Sequence, residues 1–243
     1  MKVSLIIPAY NEEKELPVCL EFVRQVQEAL ATERPDLSWQ LIVTDNNSTD
    51  STSEIASRAG AEVVFEPLNQ IARARNAGAA VATGDWFLFI DADSRLHVDS
   101  IRDMFRVIDS GSVGGGGCLV RMDDAPLWGR CGIVVWNTLS RCMKWAAGSF
   151  VYCRADAFRD VGGFNEEYYA AEELNFSAEL RRWCKRNELK FKILTKQAHA
   201  SSSRKFRMYT HREIFRLMFN SLFSYGKTMR SQAALDFFYD GRR

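Results

Sequence analysis

The chain has 243 residues, nearly half of them hydrophobic, and a formal net charge of +1. That is enough apolar material for one large core, and too little net charge for the positive field of a nucleic-acid binder, so nucleic acid is excluded as a partner. The six cysteines, Cys19, Cys118, Cys131, Cys142, Cys153 and Cys184, form no C-x-x-C pair and no metal-type spacing. They read as free thiols in a reducing compartment, which places the protein in the cytoplasm. The apolar run in MKVSLIIP stops at Pro8 with no cleavage site after it, and no window approaches the ~18 apolar residues of a membrane span. The expectation is a soluble protein, or at most one associated with a membrane surface.

In chain order, short β-rich apolar runs alternate with helix-length segments up to residue 110. Strands are predicted at Val3 to Ile7, Gln40 to Val43, Glu62 to Phe65 and Trp86 to Ile90. Helices are predicted over 12–30, 50–59, 71–82 and 98–108, with Ser48 or Thr49 capping the second and Ser94 in the turn toward the fourth. The pattern implies βαβ units and an α/β fold with a mainly parallel sheet. All four strands then end on one edge, where open α/β sheets bind ligands. After Ser110 the stretch GSVGGGGCLV has no Lys or helix cap at phosphate-loop spacing, so its glycines read as a loop-and-strand segment. Beyond it a helix is predicted over 128–145, then a strand entering a short helix in GSFVYCRADAF, and an amphipathic helix in AAEELNFSAELRRWCKR. The tail after Ser201 carries nine Lys and Arg against three acids, with a Phe- and Met-rich helix over 211–230.

Residues just past the strands converge although they are distant in sequence: Pro8, Ala9, Tyr10, Asn11 and Glu12; Asp45, Asn46 and Asn47; Asp91 and Asp93. Positions i and i+2 leave a strand on the same side, so Asp91 and Asp93 can face one centre while Ala92 points away. Two carboxylates that close repel unless a cation or a shared proton intervenes. Hard oxygen donors with no cysteine nearby favour Mg²⁺ or Mn²⁺. A D-x-D can also cap a helix, but its place after an apolar strand favours the metal reading. DNNSTD suits a turn; beside PAYNEE, Asp45 also suits an acceptor for a ligand ring N–H, with Tyr10 offering that ring a face or edge. In ARARNAG, Arg73 and Arg75 open a helix, where the macrodipole disfavours cations unless an anion is near. One is expected to face ligand and the other solvent.

Four stretches, VSLIIPAYNEE, LIVTDNNSTDST, ARARNAGAAVATGDWFLFIDADS and GSFVYCRADAFRDVGGFNEEYYAAEELNFSAELRR, follow one another across residues 3–200. Together they resemble the successive motifs of the family 2 glycosyltransferases. The resemblance implies the GT-A fold, a Rossmann-like mixed sheet flanked by helices, here with a C-terminal helical extension. It implies an inverting transfer of a sugar from a UDP- or GDP-sugar to the hydroxyl of a glycan, a lipid-linked acceptor or a small molecule. By it, Pro8, Ala9, Tyr10, Asn11, Glu12 and Asp45 hold the nucleoside, Arg75 and Asn76 support it, and Asp91, Ala92 and Asp93 carry the Mn²⁺ or Mg²⁺ that bridges the diphosphate. The family base lies in a Glu-Asp pair that aligns with Glu172 and Glu173. Glu at the second place departs from the pattern and leaves the choice between Glu173 and Glu172 open. His199 stands where many relatives place a His against the metal or diphosphate, and Arg204 and Lys205 could close over the phosphates. Trp145, Gly148, Phe150 and the GGF at 162–164 are read as shaping an acceptor pocket, with core packing the other reading of Phe150 and Phe164.

On this basis residues 1–110 form a nucleotide-sugar-binding half, 111–205 an acceptor and catalytic-base half of the same domain, and 206–243 a helical extension. The 211–230 helix is read as packing on the domain or on a second subunit in a homodimer, or as a peripheral contact at the inner face of the membrane. Two alternatives stand beside the enzyme. A D-x-D phosphatase or phosphotransferase would carry its motif on the first strand, not the fourth. A non-catalytic nucleotide-sugar-binding domain would account for Glu in place of Asp.

Overall fold

In the computed structural model, residues 1–202 are described; Arg204, Lys205 and the segment 211–230, where a helix is predicted, lie outside the described residues. The first half of the chain alternates as its sequence demands: β1 (Lys2–Ala9), α1 (Leu16–Glu33), β2 (Ser38–Asp45), α2 (Thr52–Arg58), β3 (Glu62–Phe65), α3 (Ile71–Ala80) and β4 (Trp86–Phe89). The second half runs β5 (Ser94–Arg95), α4 (Val98–Asp109), β6 (Val113–Arg121), α5 (Leu127–Met143), β7 (Val151–Arg154), α6 (Ala155–Asp160), α7 (Glu172–Arg186) and β8 (Lys190–Ser201). One eight-stranded sheet takes the order β3-β2-β1-β4-β7-β6-β8-β5. The four predicted strands pair in parallel, β3 on β2, β2 on β1 and β1 on β4. β7 then turns the sheet antiparallel, between β4 and β6.

Burial explains the central strands. β1 is buried from Val3 to Ala9 and β4 along its whole length, so these strands read as near-continuous apolar runs, with Ser4 the exception, because helices cover both faces. On one face α1 packs Leu16, Cys19, Leu20, Val23, Val26 and Leu30, spaced by three and four residues along one stripe. On the other a phenylalanine cluster fills the core: Phe87, Phe89, Phe158, Phe164 and Phe176, with Phe164 and Phe176 stacked at 4.5 Å between centroids.

The glycine run is a strand, β6, and its composition has a steric cause. A Cβ on Gly116 would sit 1.8 Å from the carbonyl oxygen of Lys192 on β8, and one on Gly115 2.6 Å from that of Tyr152 on β7. Only backbone without side chains fits there. Three expected helix starts differ. α2 opens at Thr52 behind Ser51, while Ser48 accepts the Asn11 amide at 2.9 Å; the helix start is instead served by Asp50, which accepts the Thr52 amide at 3.0 Å. Ser94 belongs to β5, and His97 caps α4 through the Asp99 amide. Pro17 in the first turn moves the start of α1 to Leu16, later than residue 12.

Candidate active site

A cavity of about 480 Å³ opens at the carboxyl ends of β1 and β4. One wall is Pro8, Ala9, Tyr10 and Glu12 after β1, Asn46 after β2, and Asp91, Ala92 and Asp93 after β4. The facing wall comes from the second half of the chain: Ile133 and Trp136 of α5, Gly148 and Ser149 before β7, and Tyr169 to Glu173 at the start of α7. The topology thus brings both predicted carboxylate pairs to one space.

Arg75 links the two walls. Its side chain is 1% exposed, its Nη2 donates to Asp91 Oδ1 at 3.0 Å and to the Gly148 carbonyl at 3.1 Å, and its Nη1 donates to Glu172. The guanidinium also lies over the Phe164 ring, 5.2 Å from its centroid. Burial acts to lower the Arg75 pKa, but the charges of Glu172 and Asp91 outweigh it and the net shift is upward. An arginine that early in a helix is tolerable because these acids supply the anions the dipole calls for. Arg73, whose side chain is partly exposed, solves the same problem with Glu66 at 3.2 Å and Glu166 at 2.6 Å, while Arg75 lines the cavity.

The two glutamates separate cleanly. Glu172 is 3% exposed and committed to Arg75. Glu173 is partly exposed at the cavity wall. Protein mass around its carboxyl, and after that the charge of Glu172, push its pKa up to about 8, against the pull of Arg75.

Asn11, Asp45, Asn76 and His199 stand outside the cavity lining. Asn11, at φ 51°, accepts the Thr49 amide at 2.7 Å and so pins the loop after β2. Asp45 accepts the Ser48 amide at 3.0 Å within that loop. Asn76 brackets Phe164, accepting its amide at 2.9 Å and donating to its carbonyl at 2.8 Å. Gln70 donates to the carbonyls of Glu166 and Tyr168, so α3 holds the segment that delivers Tyr169 and the glutamates. Nothing in the local sequence marks Gln70 for this, since its partners lie nearly a hundred residues away. Of the residues expected to shape an acceptor pocket, Gly148 lines the cavity, while Phe150 and Phe164 are core.

His199 on β8 is fully buried, packs its ring against Phe150, and neither ring nitrogen has a hydrogen-bond partner among the described residues. Burial lowers its pKa to about 4, opposed by the field of Asp91. Asp91, Asp93 and His199 match a divalent ion in kind, as two hard carboxylates and an imidazole with unsatisfied nitrogens. As placed, no three acidic, His or Cys groups among the described residues converge closely enough to hold a metal.

Comparison with known proteins follows the same lines. The glycosyl transferase family 2 model matches residues 4–154. An uncharacterized glycosyltransferase of Mycobacterium tuberculosis is 32% identical over 110 residues, 45% of each chain, so this chain spans about half the length of the curated relatives it matches. S. aureus TarS 1-349 in complex with UDP-GlcNAc superposes with a TM-score of 0.65 at 21% identity, over 84% of this chain and 59% of that one. Mannosyltransferase PcManGT from Pyrobaculum calidifontis, in complex with GDP-Man and Mn²⁺, superposes with a TM-score of 0.66 at 19% identity, over 96% of this chain and 64% of that one. At such identities the likeness establishes the fold, which is GT-A. With a family match that covers more than half the chain and the architecture that goes with it, the chain belongs to glycosyl transferase family 2.

Proposed function

We propose that this chain transfers a sugar from a UDP- or GDP-sugar to an acceptor hydroxyl, with inversion. The observation that carries the reading is the single cavity with Asp91 and Asp93 on one wall and Glu173 on the other. The β1 loop from Pro8 to Glu12 and Asp45 receive the nucleoside, with Tyr10 and Asn46 facing the cavity. Asp91 and Asp93, with His199 brought closer than it stands, would hold Mn²⁺ or Mg²⁺, which when bound would supply Lewis-acid neutralisation of the diphosphate. Arg75 and Asn76 act as supports, Arg75 on the carboxylates and Asn76 on the segment before α7.

Inversion requires a base on the sugar face opposite the departing diphosphate. Glu173 has the position and the basicity: it faces the cavity, and a raised pKa makes its carboxylate a stronger proton acceptor than an ordinary glutamate. Glu172 is occupied with Arg75, which supports Glu173 as the base. Residues 1–110 act in this reading as the donor half and the remainder of the described chain as the acceptor half.

The test is turnover of UDP-glucose and GDP-mannose by wild type and Glu173→Gln, alongside binding of UDP and GDP with Mn²⁺. The expected result is nucleotide binding by both proteins and loss of turnover by roughly 10³-fold in the variant. Nucleotide binding by the wild type with no turnover of any donor across a panel would make the chain a binding domain.

A further inference from the structure

Helix α5 exposes large apolar side chains on a scale found nowhere else among the described residues. Leu127 is 79% exposed and Val134 65%, with Val135, Leu139 and Met143 also exposed. At 3.6 residues per turn, Leu127, Cys131, Val134, Val135, Leu139 and Cys142 fall on one side of the helix, and all six are exposed. A face of this kind, apolar except for Thr138, marks an interaction surface. The helix contains no Asp or Glu, while exposed Arg130 and Arg141 run along one edge of the apolar side and exposed Lys144 follows its last residue.

Charge decides what covers this face. The chain after Ser202 carries nine Lys and Arg against three acids, so its own tail would meet α5 with like charge. A second copy would set the same arginines against one another. An anionic bilayer offers the opposite charge together with an apolar layer for the side chains. No helix among the described residues is long and apolar enough to cross a membrane, so the contact is with the surface.

We infer that α5 docks flat on an anionic lipid bilayer, with Leu127, Val134, Val135 and Leu139 in the headgroup boundary and Arg141 and Lys144 among the phosphates. Ile133 and Trp136 of the same helix line the cavity, so docking sets the cavity beside the bilayer. Resting on the glycosyltransferase reading, this identifies the acceptor class as a lipid whose headgroup hydroxyl is presented from that bilayer.

The test is co-sedimentation of the full chain with vesicles of phosphatidylcholine alone, or with about a third phosphatidylglycerol. The wild type is expected to bind the anionic vesicles roughly tenfold more tightly, and Val135→Glu/Leu139→Glu to lose roughly tenfold in affinity with an unchanged Tm. As a readout that needs no variant, an environment-sensitive fluorophore on exposed Cys131 and Cys142 is expected to shift to the blue on adding anionic vesicles. No vesicle binding by the wild type overturns the inference. Equal binding by the variant also overturns it and assigns the contact to residues 203–243, and a variant that changes oligomeric state while still binding vesicles assigns the face to a second copy. UDP and GDP binding, measured in parallel, keeps the two readings apart: vesicle binding without nucleotide binding defeats the enzyme reading alone, and the converse defeats the docking surface alone.

Discussion

Arg75→Met removes the cation that holds the two walls of the cavity together. In the wild type the guanidinium is 1% exposed, bonded to Asp91, Glu172 and the Gly148 carbonyl, and stacked on Phe164. Methionine fills much of the same volume, so the packing loss is small and the electrostatic loss dominates. Glu172, 3% exposed, is left as a buried carboxylate without its counter-charge. Breaking a buried pair from one side costs about 3–5 kcal/mol, a large part of the 5–15 kcal/mol that holds a typical domain. Arg75→Met/Glu172→Gln removes both charges and should recover about half the loss. Urea unfolding of the four proteins in this cycle measures both quantities. A loss below about 1 kcal/mol in Arg75→Met, or no recovery in the double variant, would show that the buried bridge does not form.

Glu173 has a folded-state pKa of about 8 against an ordinary 4.5, so its ionisation opposes folding: the cost begins above pH 4.5 and grows until pH passes 8. Glu173→Gln should therefore raise Tm, with the gain widening between pH 5 and 8, and the wild-type rate should climb toward pH 8; a flat Tm difference would refute the shifted carboxyl. For His199 the sign reverses. A neutral imidazole with its pKa lowered to about 4 costs stability as pH falls from 6.5 toward 4, on the order of 2–3 kcal/mol, and His199→Leu should flatten that acid limb in a pH series of urea midpoints. Gly116→Ala places a methyl 1.8 Å from the Lys192 carbonyl, so a loss of at least about 2 kcal/mol or failure to fold is expected, and a wild-type unfolding midpoint would contradict the β6–β8 register. Gly148→Ala sets a methyl 2.8 Å from Arg75 Nη2 and should lower turnover more than nucleotide affinity, read as separate kcat and Kd values.

The first half of the fold is legible because its signals are local. Val3 to Ile7 is apolar but for Ser4, Trp86 to Ile90 is apolar throughout, and four short β-rich runs separated by helices admit few arrangements. The later pairings are not local. β7 enters between β4 and β6, and β8 joins β6 with bulges, through contacts that leave no periodic trace in the sequence. β6 is hidden by its glycines, whose reason lies in strands on either side. In the site, Asp91 and Asp93 are readable from their place after a strand. The role of Arg75 is not, because its partners lie 16 and 97 residues away and an arginine near a helix start looks the same whether it faces ligand or carboxylates.

The most direct measurement is the thermal shift given by UDP and by GDP, with and without Mn²⁺, in the wild type and in Asp93→Asn. Ligand that binds only the folded state raises stability by mass action, about 2.7 kcal/mol at a hundredfold excess over Kd. The expected result is stabilisation by one of the two nucleotides that depends on Mn²⁺ and is lost in Asp93→Asn. Stabilisation by neither nucleotide, or a shift that Asp93→Asn leaves intact, would contradict a donor site built on the carboxylates at the end of β4.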